Sequence, residues 1–170
     1  MSLADKGNGP LLTHVSPSAK GTIWIFNEYM AFIRKCSQEP IQELTELDFN
    51  ELEKTLDTTL PVEFKSFYLE HNGKHPIPNE CYLFFPIKYG FSIERRLEVY
   101  AKQGIHFGKK IPFAGDGYGH TYVLSLEDNS FGKVLFLQHE SEDNQEYEVV
   151  ANSFPEFLIC FVSKGKTFVR

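Results

Sequence analysis

The sequence predicts an α+β domain in which helices flank a single antiparallel sheet. Three observations carry that prediction. Apolar residues recur at helical spacing toward both ends of the chain, adjacent strand patterns occupy residues 111–150, and a short turn-rich segment joins the two clearest strands. At 170 residues the chain suits one domain with a substantial buried core, and neither an internal repeat nor a second domain is legible. Aromatic residues are plentiful at 15%, enough to fill that core and to leave rings at a surface.

Residues 1–20, "MSLADKGNGPLLTHVSPSAK", are rich in Gly, Pro and Ser and predict a flexible lead ahead of one domain over 21–170. Ile23, Phe26, Met30 and Ile33 then recur at helical spacing. "DFNELEKTL" predicts a helix capped by Asp48, with Glu51 three residues on and Phe49, Leu52 and Leu56 along one face. A further helix starts at Pro61, buries Phe64, Phe67 and Tyr68, and stops at "HNG", where Gly73 accepts a left-handed backbone. "CYLFFPI" (81–87) reads as a short buried strand between prolines.

Ser92 caps the next predicted helix, which aligns Ile93, Leu97, Tyr100 and Ala101 and ends at Gly104. "IPFA" (111–114) precedes the strongest β signal, in which "TYVLSL" and "KVLFLQHE" flank the turn residues "EDNSFG" as a hairpin. "EYEVV" adds a further strand. The closing helix carries a capping box of Ser153 and Glu156, with Phe154, Phe157, Leu158, Phe161 and Val162 as its apolar stripe.

Charge narrows the function. The net charge is −6, and the acids are concentrated in two stretches. Glu39, Glu43, Glu46, Asp48, Glu51, Glu53 and Asp57 are opposed only by Lys54. Between Lys133 and Lys164 there is no Lys or Arg, while Glu140, Glu142, Asp143, Glu146, Glu148 and Glu156 fall in that interval. Such faces repel nucleic acid and attract a basic protein surface; they also serve simply as solvated faces that maintain solubility. Cys36, Cys81 and Cys160 are odd in number and far apart, so a disulfide framework or zinc knuckle is not expected. A reducing, cytoplasmic setting fits that usage. No apolar run approaches the ~18 residues that span a bilayer, so no membrane association is expected.

The segment with the most chemical promise is "FAGDGYGHTY" (113–122). Its glycines lack dinucleotide-fingerprint spacing and precede a strand instead of a helix, and "GIHFGKK" (104–110) departs from a phosphate-binding loop. Asp116 with His120, or His71 with His75, finds no third metal ligand at recognisable spacing. No nucleophile elbow or activated cysteine is present. The remaining reading is a tight bend in which the backbone approaches another segment and Asp116 bonds nearby N–H groups. No catalytic residue, metal ligand or cofactor is therefore assigned.

Three segments in register carry a resemblance: "LPVEFKSFYLEHNG" (60–73), "IPFAGDGYGHTYVLSLEDNSFGKVLFLQHE" (111–140) and "VANSFPEFL" (150–158). Together they resemble the SUKH superfamily, in its Smi–Knr branch, over about residues 45–165. The resemblance implies an α+β domain without an enzymatic centre. In bacteria such domains commonly act as immunity proteins that neutralise a cognate toxin, often a nuclease; in fungi related domains belong to regulators of cell-wall synthesis. The expected function is thus a non-enzymatic protein-binding module for a basic toxin domain, with a cell-wall regulatory or scaffolding domain as the alternative. Candidate binding residues are Glu140, Glu142 and Asp143 after the hairpin, Tyr118 and Tyr122 as neighbouring anchors, and Asp116 in the bend.

Overall fold

The computed structural model describes residues 42–72, 83–116, 119–138 and 146–167. The predicted lead, the helix over Ile23–Ile33, and Cys36, Gly73, Cys81, Gly117, Tyr118, Glu140, Glu142 and Asp143 lie outside them. The side chains of Phe161 and Val162 do as well. Within them the order is α1 (Glu46–Leu56), α2 (Val62–His71), β1 (Leu83–Phe84), α3 (Ile93–Lys102), β2 (Lys110–Gly115), β3 (Thr121–Ser125), β4 (Val134–Leu137), β5 (Tyr147–Ala151) and α4 (Phe154–Thr167). The strands form one five-stranded sheet in the order β1-β2-β3-β4-β5, antiparallel throughout. The expected α+β class is what the chain adopts.

The helix termini follow from local chemistry. α1 starts earlier than the acidic pattern predicts, because its cap is Thr45 and not Asp48. Asp48 reaches back instead, its Oδ2 accepting the Thr45 N–H at 2.8 Å and the Thr45 hydroxyl at 2.9 Å. At α3 the Ser92 cap is as predicted, its Oγ accepting the Arg95 N–H at 3.4 Å. Ala101, predicted on the buried stripe, is exposed; Ile93 supplies the fully buried contact. At α4 the Ser153 Oγ accepts the Glu156 N–H at 3.2 Å, while Glu156 takes the Asn152 N–H at 3.0 Å.

The main core lies on the face of the sheet covered by α1, α2 and α4. Phe64 and Phe67 of α2, Phe84 of β1, Phe113 of β2 and Phe154 and Phe157 of α4 are all buried, with rings meeting edge-on or tilted. Each such side chain contributes roughly 1.5–3 kcal/mol of burial. Buried Tyr68 solves its polar-end problem by donating its hydroxyl to the carbonyl of Phe85 at 2.9 Å, with that of Phe113 at 3.3 Å. Burial raises its phenol well above the ordinary range. A smaller cluster occupies the opposite face: Ile105, Phe107, Val123, Leu135 and Leu137, flanked by Leu97, Tyr100 and Tyr147.

One polar residue ties distant segments together. Asn72, fully buried at the end of α2, accepts the Ile87 N–H at 2.8 Å and donates to the carbonyls of Ile87 and Gln42, each at 3.1 Å. The "HNG" signature therefore marks a bolt as well as a stop. Leaving Ile87 N–H unpaired in that interior would cost about 1–3 kcal/mol, so the amide earns its place structurally.

Candidate protein-binding surface

Side chains along β2–β5 grade from core to solvent. Register aligns Ala114 with Tyr122, Tyr122 with Phe136, and Phe136 with Glu148 across four strands. Ala114 is fully buried, Tyr122 and Phe136 are half-buried, and Glu148 is exposed. Tyr122 links the two ends, its ring 5.0 Å from Phe157 in the core and 5.2 Å from Phe136. Where this row meets solvent, Phe136, Gln138, Glu146, Tyr147 and Glu148 line an open groove of about 250 Å³.

The bend at 113–122 borders this region. Asp116 spends one carboxylate oxygen on the His120 backbone N–H at 2.9 Å, and its own N–H donates to the His120 carbonyl at 3.2 Å. The acid closes the turn, as its local sequence implies. His120 in turn lies 5.2 Å from Phe136, carrying the bend to the groove. Two glycines have distinct duties. Gly119 holds φ +90, a region that penalises side chains. A Cβ on Gly115 would meet the Phe85 ring at 3.0 Å, so that glycine admits close packing.

Of the predicted binding residues, Tyr122 does not line the groove but packs its ring 5.2 Å from that of Phe136, and Asp116 lies in the adjoining turn. Tyr118, Glu140, Glu142 and Asp143 lie outside the described residues. The groove's lining residues Phe136, Glu146, Tyr147 and Glu148 are not among the binding residues the sequence suggests; Phe136 and Glu148 share one face of the sheet, and Tyr147 alternates to the other, beside Leu137. Their signal was the alternation in "EYEV", with an acid at every second position of a strand. Burial pushes the Tyr147 phenol up to about 12, with Glu127 adding to the shift, so it stays neutral throughout the physiological range.

The first acidic stretch behaves differently. Asp48 pairs with Lys88 at 2.8 Å, and Glu53 pairs with Lys65 at 2.8 Å while accepting the Leu60 N–H at the same distance. The Lys88 ammonium and the Thr45 N–H hold the Asp48 carboxyl below its usual value. Burial acts to raise Glu53, but its hydrogen bonds from Leu60 and Lys65 outweigh that and lower it. Lys88 itself has φ +70, and its N–H meets both Glu94 oxygens at 3.1 Å. A second groove of about 230 Å³, lined by Asp48, Glu51, Lys88, Ser92 and Glu94, thus has a lysine of the chain already within it.

Among the described residues no cluster of three or more His, Cys, Asp or Glu is placed to hold a metal ion, and no helix is long and apolar enough to cross a membrane. A search of curated proteins finds no match to the chain. The model of the SMI1/KNR4 family (SUKH-1) matches residues 43–160, a span that runs from just before α1 into α4 and includes the bend, the groove and every described strand. The chain belongs to the SMI1/KNR4 (SUKH-1) family.

Proposed function

We propose that this domain is a non-enzymatic binding module of the immunity type, which occupies the cationic surface of a toxin domain. The observation that carries the reading is the groove at the β4–β5 border, where the exposed acids Glu146 and Glu148 stand beside the half-buried ring of Phe136. Neither acid has an ion-pair partner among the described residues. Exposed acids around aromatic anchors combine long-range steering with short-range adhesion to a basic protein. A nuclease is a suitable target, because the surface that meets phosphate is cationic. Glu140, Glu142 and Asp143 precede β5 in sequence and extend the same acidic stretch.

The test is a pull-down from the native host followed by association kinetics at two salt concentrations. The expected result is a basic toxin domain whose on-rate falls as salt rises, since exposed charges are screened beyond ~8 Å at physiological ionic strength. Recovery of a cell-wall synthesis enzyme would replace this reading with the regulatory alternative. An on-rate insensitive to salt would reduce the acids to a solubility role.

A further inference from the structure

The two borders of the sheet are protected unequally. Among the described residues β1 has two, Leu83–Phe84, and a very short strand is a common way to close a sheet edge. β5 has five, Tyr147–Ala151, and pairs with β4 on one side as the last strand of the described sheet. Along such a strand, alternate N–H and C=O groups point away from the neighbour and offer a ladder to another chain. β5 contains neither Pro nor Lys, the usual edge guards, and its Val149 is 52% exposed.

We propose that β5 accepts an extended basic segment of the protein partner as a sixth strand. This inference rests on the binding-module reading above and specifies how binding occurs. The side-chain pattern of the occupant follows from register. Glu148 aligns with Phe136 on one face, so the added strand should carry Lys or Arg there. Val149 aligns with Leu135, and Tyr147 with Leu137, both in the apolar cluster of the other face. Apolar, preferably β-branched, side chains fit beside them. The occupant therefore alternates cations with apolar residues. A second copy of β5 is disfavoured, because pairing two such edges sets their acids against one another.

The probe is a synthetic peptide of alternating Val and Lys, with two controls: the same peptide N-methylated along one edge, and one with Glu in place of Lys. Binding to the full chain is measured by calorimetry, and amide hydrogen exchange locates it. The expected result is slowed exchange within β5 and roughly tenfold weaker binding after N-methylation, which removes strand-to-strand hydrogen bonds without removing charge. The Glu peptide should not bind, and Glu148→Lys should lose the Lys peptide while melting like the parent. Equal binding of the N-methylated peptide, protection elsewhere than β5, or no binding of the Val–Lys peptide would overturn strand addition. Self-association with protected β5 amides would assign the edge to a second copy instead. The broader reading fails separately, if the host pull-down yields no basic protein partner.

Discussion

The two borders of the sheet make opposite use of similar residues. At the β1 border, aromatic rings from α2, β1, β2 and α4 interlock, and Asp48 and Glu53 are bound by lysines and backbone N–H groups of the chain itself. At the β5 border, Phe136 and Tyr147 are only half-buried, and Glu146 and Glu148 face solvent. Acid content alone does not distinguish the two stretches. Pairing does: Lys65 and Lys88 bind Glu53 and Asp48, whereas Glu146 and Glu148 have no ion pair among the described residues. Asp48 and Glu53 are tied into the fold, whereas Glu146 and Glu148 are exposed.

The largest expected effect belongs to the closed border. Phe157, 6% exposed and packed against Phe113 and Tyr122, should cost about 3–5 kcal/mol when replaced by Ala. Denaturant titration checks this, and a loss below ~1 kcal/mol, the level of an average point mutation, would place α4 outside the core.

Glu53→Ala comes next, at about 1.5–3 kcal/mol, the range for hydrogen bonds to a charged group. Its sign with pH is fixed by the direction of its shift. A carboxyl held lower in the folded state stabilises fully above its unfolded value, ordinarily ~4.3, and that contribution disappears as pH falls through the lower folded value. Melting temperatures from pH 7 down to 3 should therefore fall less steeply in the variant than in the parent. Parallel curves would remove Glu53 from the account of the closed border.

Between the borders, Gly119→Val should cost about 1–2 kcal/mol, the penalty for a side chain in left-handed backbone. An unchanged melting temperature would show that the bend does not depend on φ +90 at that position. The smallest stability effect belongs to the open border. Glu146→Lys with Glu148→Lys should shift stability by less than ~0.5 kcal/mol while lowering the partner's on-rate several-fold at low salt. A destabilisation like that of Glu53→Ala would erase the distinction between the borders.

Strong periodicity made most elements legible in advance. Phe49 with Leu52, Phe64 with Phe67 and Tyr68, and Phe154 with Phe157 and Leu158 all mark buried helical faces at the expected spacing. The hairpin of β3 and β4 follows from its turn residues, and the closure of the bend by Asp116 follows from short-range hydrogen bonding. These features depend on neighbours a few residues apart, which the sequence lays side by side.

What it could not contain was the destination of long-range contacts. The capping box of Thr45 and Asp48 is local, but the pairing of Asp48 with Lys88 joins segments far apart in the chain. Asn72 resembled punctuation until Ile87 and Gln42 were brought against it. Glu148 was one acid among six until strand order put β5 at the border and register placed it beside Phe136. Local propensity and apolar spacing determine which segments become helices and strands. Which acids are neutralised and which face outward depends on residues on other elements, as with Asp48 and Lys88 or Glu53 and Lys65, and only the assembled tertiary structure sets those distances.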